Sequence, residues 1–288
     1  MKPFPIPVVT FGPGSHTEEE SLNYLDMPRE MDTYCPPSLP EPEQFAALTQ
    51  ARAVLACVLD LLDRAANGGA GGQIDLAGLD EDERSALNQV LAEGEASARL
   101  LDADAGLDIR IQEAIFTGVW RLISVQGSVV VGDLIEVGCV PTIVHDLART
   151  DACRPVTPWD GPLPPGVQNA PMLVAEVRDQ SRRWLPGQPP HVINLSLLPV
   201  TPEDIAFLDH QLGTGRVLIL SRGYGNCRIS NARLPNTWRV VYYNSLEKVI
   251  LNTVEVVDLP EVALAAPEDL RDSHSRLADI VAYLDGAP

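Results

Sequence analysis

The chain has 288 residues, 45% of them hydrophobic, and sets 21 Lys and Arg against 40 Asp and Glu for a net charge of −19. A chain of this length buries roughly 75% of its unfolded surface, enough for two small cores. The acidic balance excludes general affinity for a nucleic-acid backbone or for anionic lipid, and leaves a basic protein segment as the electrostatically favoured partner.

No apolar run approaches the ~20 residues that span a bilayer. The N-terminus lacks the basic region and apolar core of an export signal, so a cytoplasmic protein without membrane insertion is expected. Five cysteines (Cys35, Cys57, Cys139, Cys153 and Cys227) are scattered, and no CxxC occurs. That spacing asks for neither a zinc ribbon nor a thioredoxin-like site. The five histidines are isolated as well, and no metal or cofactor is expected.

Residues 1–43 are acidic and proline-rich, as in FGPGSHTEEE and MDTYCPPSLPEPE. Such a stretch buries too little apolar surface to offset its ordering entropy, so an extended or disordered N-terminal segment is expected. Phe4, Ile6, Val8 and Val9 form one short apolar run within it, suited to a sheet edge or a partner contact. Gly12-Pro13-Gly14-Ser15 lacks the following GK[ST] and the strand-to-helix context of a phosphate loop, and reads as a turn.

A first α+β unit is expected over residues 44–150. Its leading helix runs from Phe45 to about residue 66, with Leu48, Ala51, Leu55, Val58 and Leu62 on one face, and stops at Asn67-Gly68-Gly69. A second helix starts at Asp80, with Glu83 completing a capping box before Leu87, Val90 and Leu91. Residues 151–190 read as a proline-rich linker containing one helix over about 170–183. Trp159 and Trp184 in this region are either packing anchors or partner contacts. A second unit follows over 191–288. Thr201 caps its first helix, Pro202 takes the first helical position, and Ile205, Leu208 and Leu212 share a face. Short β-rich blocks from Val217 to Val256 follow, broken by Gly223, Gly225, Pro235 and Asn236, and such short connections favour antiparallel pairing. Leu270, Leu277, Ile280, Val281 and Leu284 mark a C-terminal amphipathic helix.

The two units align with each other. Leu91 and Gly94 meet Leu212 and Gly215 at an offset of 121; Arg110, Ile111, Ala114, Trp120 and Arg121 meet Arg228, Ile229, Ala232, Trp238 and Arg239 at 118. Glu136, Val137 and Pro141 meet Glu255, Val256 and Pro260 at 119. The offset changes only where loops are expected. The fold class is therefore read as α+β in two tandem repeat units, each an antiparallel sheet of about four strands flanked by helices. Residues 73–148 and 192–264 should share one strand order. Trp120 and Trp238 are expected as the large core residue of each unit, with the adjoining arginines on the opposite strand face.

Enzyme motifs are absent: there is no GxSxG, no HExxH, no kinase set and no dinucleotide GxGxxG before a helix. Gly223-Tyr224-Gly225 is followed by strand-forming residues, where phosphate binding needs a helix start. A binding protein without catalytic residues is expected, with Trp159, Trp184 and Tyr224 as candidate partner contacts.

INLSLLPVTPEDIAFL, SRGYGNCRI and DLPEVALAAPEDLRDS resemble the HupH/HyaF/HoxQ family of [NiFe]-hydrogenase maturation proteins, as do LAEGEASARL, IQEAIFTGVWRL and the N-terminal GPGS. The resemblance spans nearly the whole chain in family order. It implies a dedicated assembly chaperone for the iron–sulfur small-subunit precursor, acting before twin-arginine export, with other maturation proteins as further partners. A paired-arginine export signal beside an apolar helix is a partner that an acidic surface attracts. The alternative is a scaffold that transiently carries iron or a cluster through cysteines such as Cys139 and Cys227. The dispersed cysteines argue against it, because Cys139 aligns with Asp258 and Cys227 with Ile109.

Overall fold

The computed structural model describes residues 39–286 apart from 103–105, 155 and 224. The expectations for residues 1–38, and for Tyr224, lie outside the described residues. The elements in chain order are α1 (Pro42–Phe45), α2 (Thr49–Ala66), β1 (Gly72–Asp75), α3 (Glu81–Leu91), β2 (Ala96–Asp102), β3 (Leu107–Glu113), β4 (Val119–Gln126) and β5 (Val129–Val137). They continue with α4 (Thr142–Ala152), α5 (Ala170–Arg183), β6 (His191–Asn194), α6 (Pro202–Leu212), β7 (Thr214–Ser221), β8 (Asn226–Ala232), β9 (Thr237–Tyr243), β10 (Val249–Val256) and α7 (Pro267–Leu284). All the strand pairs named below are antiparallel, and the class is α+β.

The chain forms two compact bodies. Of the described residues, one contains 39–144 together with 261–286; the other runs from 145 to 260. In the first, the strands lie in the order β1-β5-β4-β3-β2. In the second they lie in the order β6-β10-β9-β8-β7, the same succession of strand, helix and four strands. Each sheet gains one strand over the expected four. The extra strands, Gly72–Asp75 and His191–Asn194, are four residues long, too short for their alternation to stand out in the sequence.

Helices α2, α3 and α7 cover one face of the first sheet. Leu55, Leu62, Leu87, Ile135, Leu270 and Leu277 are each 0% exposed in that core. Burial of such a side chain contributes about 1.5–3 kcal/mol. At Gly118 the β3–β4 turn takes φ +85°, and a Cβ there would lie 2.1 Å from Leu270 Cδ2. Only glycine meets both conditions. In the second body α5 and α6 cover β10, and Val174, Val177, Phe207, Leu208, Val254 and Val256 form the core.

A buried carboxylate in the first turn of α3 and of α6 holds the start of a second helix. Asp80 caps α3 by accepting from Glu83 N at 2.9 Å. The expected capping box is only half formed, because Glu83 turns away and accepts from Gln50 N at 3.2 Å and Ala51 N at 2.5 Å, at the start of α2. Asp204 completes the box with Thr201 and also accepts from Gln168 N, Asn169 N and Ala170 N at 2.7–2.9 Å, at the start of α5. Burial works to raise the Asp204 carboxyl, but the four backbone N–H bonds outweigh it and hold the group below its ordinary value. Asp204 thus serves two helix N-termini at once and Glu83 serves that of α2, where orphan donors and the dipole both favour negative charge.

Trp120 and Trp238 take the second position of β4 and β9 and are 4% and 1% exposed. Their Nε1 groups donate to the carbonyls of Gly138 and Asp258, each at 3.0 Å.

Candidate functional site

The 145–260 body has a groove of about 440 Å³ between α6 and strands β8 and β9. Ala206, Asp209, His210 and Gly213 supply the α6 side, at the helical spacing that shares a face. Arg228, Ser230 and Ala232 alternate along β8, and Arg239 and Val241 along β9, so all five look out from one face of the sheet. Trp238 also lines it.

Three guanidinium groups (Arg228, Arg233 and Arg239) stand here against one carboxylate. Arg239 Nε lies 3.3 Å from Asp209 Oδ1. Burial pushes the Asp209 carboxyl above its ordinary value, against the pull of Arg239 and Arg228. Arg228 hydrogen-bonds the Tyr243 side chain, whose hydroxyl is raised chiefly by burial. Arg233 is exposed, and its Nε donates to Thr214 O at 3.2 Å.

The other body has a smaller groove at the corresponding place, about 280 Å³, which includes Asn88 and Arg121. Its charges are arranged differently. Arg121 forms a two-pronged pair with Asp133 on β5 and donates to Asn88 Oδ1 at 3.0 Å; Arg84 also pairs with Asp133. By register, Asp133 faces Ile123 just as Asn252 faces Val241, and Asn88 aligns with Asp209 at an offset of 121. The acid sits on the strand in one body and on the helix in the other. The Asn252 Oδ1 atom is buried with no hydrogen-bond partner among the described residues.

Behind this face lies a buried ionic cluster. Asp151 on α4 is 3% exposed and accepts from Arg216 N (2.7 Å), Arg216 Nε (2.7 Å) and Asn231 Nδ2 (3.0 Å). Burial alone would raise its carboxyl, but the bonds from Asn231 and Arg216 hold it below the ordinary value of 3.8. Asn231 aligns with Glu113, where burial dominates and pushes the carboxyl up to about 7 from an ordinary 4.5. A raised acid stabilises the fold fully below pH 4.5, and that contribution is lost as pH rises through 7. Glu113→Gln should therefore remove a decline of about 3 kcal/mol between pH 5 and 8, at 1.36 kcal/mol per pH unit. Urea midpoints across that range check it; parallel slopes for parent and variant would assign the decline to other groups.

Of the expected partner contacts, Trp159 lies beside the groove. Its ring meets His210 edge-on at 6.4 Å and Phe207 at 6.2 Å, and the backbone N–H of Trp159 donates to Gln211 Oε1 at 3.1 Å. Trp184 is 9% exposed at the end of α5, with Nε1 donating to Pro189 O at 3.3 Å, and belongs to the second core. The structure does not bring these two to one site. The groove arginines were not singled out by sequence reasoning beyond the Trp–Arg steps. The alternation of Arg228, Ser230 and Ala232, and the Asp133-to-Asn252 exchange between aligned units, are the signals that mark them.

Cys57, Cys139 and Cys153 are exposed and Cys227 is buried. Among the described residues no group of three His, Cys, Asp or Glu is placed to hold a metal ion, and no helix is long and apolar enough to cross a membrane.

Residues 167–284, which include the α6, β8 and β9 walls of the groove, match the family model described as HupH hydrogenase expression protein, C-terminal conserved region. The whole chain is 53% identical over 287 residues to hydrogenase expression/formation protein HoxQ of Cupriavidus necator, covering 99% of both chains. It is 44% identical to hydrogenase expression/formation protein HupH of Rhodobacter capsulatus, covering 96% of this chain and 97% of that one. The hydrogenase-1 operon protein HyaF of Escherichia coli is 34% identical, with 96% of each chain covered. Identity at this level across full lengths places the chain in the HupH/HyaF/HoxQ family of hydrogenase expression/formation proteins.

Proposed function

We propose that this protein is a non-catalytic assembly chaperone in [NiFe]-hydrogenase maturation, binding the immature iron–sulfur small subunit in the cytoplasm before twin-arginine export. The observation that carries this reading is the full-length match to hydrogenase expression/formation proteins. The net charge of −19 supports it, since a signal bearing paired arginines would be drawn to such a surface. The two bodies, alike in strand order, read as two copies of one unit; a duplicated binding scaffold suits a large, partly folded client.

A second reading, a scaffold carrying iron or a cluster through Cys139 and Cys227, finds less support. Cys227 is 3% exposed, and burial pushes its thiol up to about 12, so the thiolate that ligates metal is disfavoured.

Pull-down with the precursor, the signal-deleted small subunit and the large subunit tests the proposal. The precursor should be captured, and its association should slow as salt rises from about 50 to 300 mM, because the screening length shrinks over that range. Capture of the large subunit alone, or stoichiometric iron on anaerobically purified protein, would overturn it.

A further inference from the structure

We propose that the groove between α6 and strands β8 and β9 docks an acidic segment of a partner polypeptide, with carboxylates set beside an apolar side chain. The inference deepens the reading above, because it takes the partner to be a hydrogenase component. It rests on a reversal of charge. The chain as a whole carries −19, yet this concavity gathers Arg228, Arg233 and Arg239 around the single carboxylate of Asp209.

The counterpart groove makes the point by contrast. There Asp133 takes Arg121 in two bonds and Arg84 in a third, so strand and helix charges are matched within the fold. Where Asp133 stands in one sheet, Asn252 stands in the other, and the strand face loses its acid. Asp209 on the helix replaces it only in part: it meets Arg239 through one Nε contact at 3.3 Å, and burial favours its neutral form. Arg239 also donates from Nη1 to Thr253 O at 3.5 Å, but a guanidinium carries five donors in a planar fork, so donors remain for a second carboxylate.

Size and lining select the class of ligand. A volume of about 440 Å³ takes a few side chains rather than a folded domain. Ala206, Leu212, Val241 and Trp238 give the walls apolar area between the charges. A nucleic acid would bring its whole backbone charge against the remaining acidic surface, whereas a short acidic segment of an otherwise neutral or basic protein would not.

The experiment uses the full chain and an array of overlapping twelve-residue peptides tiled across the hydrogenase small and large subunits. Bound peptides should include a class containing Asp or Glu next to Leu, Ile, Val or Phe, and Asn/Gln replacement of those acids should weaken binding at least tenfold. Arg233→Glu reverses an exposed charge whose Nε donates to Thr214 O. It should weaken this class tenfold or more while basic peptides bind as before. Ala206→Glu, at the groove mouth, should do the same, and urea midpoints establish that each variant is folded. Absence of an acidic class, or an acidic class unchanged by both variants, would overturn the proposal. So would full competition by millimolar inorganic phosphate, which would mark a small-anion site. Failure here leaves a wild-type protein that still captures the precursor in pull-down; failure of the chaperone reading abolishes that capture itself.

Discussion

Replacing Asp151 with Ala is expected to destabilise the protein by about 3–5 kcal/mol, the cost of leaving a buried charge without its partner. Arg216 has only 17% of its side chain exposed, and Asp151 accepts from its Nε and its backbone N–H while taking a third bond from Asn231. Removing the carboxylate strands a guanidinium and an amide donor together. The double replacement Asp151→Leu with Arg216→Met should recover most of the loss, because no charge remains to be stranded. The same dependence should appear on acidification. The folded carboxyl is held below 3.8, so its contribution is present above that pH and is lost as pH falls through the lower folded value. Denaturant titration of both variants at neutral pH, and of the parent toward pH 3, measures these effects. A single-variant loss under about 1 kcal/mol would mean that water already solvates the cluster.

Replacing Trp238 or Trp120 with Ala should cost about 3–5 kcal/mol each, from lost apolar burial and the cavity left behind. Each also gives up an indole hydrogen bond, to Asp258 O or Gly138 O. Trp→Phe keeps most of the volume and should cost only about 1 kcal/mol beyond the smaller ring, the net worth of that bond. A stability loss under about 1 kcal/mol for Trp→Ala, together with lost precursor binding, would move either residue from core to interface.

The groove and the Asp151 cluster share a residue, Asn231. Asn231 lines the groove and also donates to Asp151, while its own carbonyl accepts from Val217 N at 3.0 Å. The arginine-bearing face of β8 is therefore backed by a rigid, hydrogen-bonded core. A docking surface gains from that, since less conformational freedom remains to be lost on binding.

Much of this architecture was legible from local chemistry. The helix over 45–66 was announced by Leu48, Ala51, Leu55, Val58 and Leu62 at helical spacing and by Asn67-Gly68 at its end; α2 does end at Ala66, but it starts at Thr49, with Leu48 as its N-cap and Phe45 in the separate turn α1. The α6 start was announced by Thr201, Pro202 and Asp204, and the capping box forms there. Such signals act within one or two turns of chain, so they survive without knowledge of the fold. The paired Trp–Arg steps were legible too: alternation in a strand sends Trp238 inward and Arg239 to the opposite face, where it meets Asp209. Glu83 was not legible. A carboxylate three residues after Asp80 satisfies the capping-box pattern on paper, but the start of α2 lies within reach in the folded chain and offers two unsatisfied N–H groups. The groove stayed hidden for a like reason, since its charges come from 209, 228, 233 and 239 on separate elements.

By itself the sequence determined the α+β class, the principal helices, the inward tryptophans and the family, though not the short strands β1 and β6, because periodicity, caps and motif order are properties of neighbouring residues. Only the tertiary structure decided where α7 packs: its Leu270, Leu277 and Leu284 join Leu55 and Leu62 of α2 in one core, more than two hundred residues away along the chain. It also decided that α5, set among prolines in the sequence, packs on α6 and β10 as core. An apolar helix face carries no address for its partner. Burial of apolar area is non-directional, and which face meets which is settled only when the sheets have formed and offer a surface of matching shape.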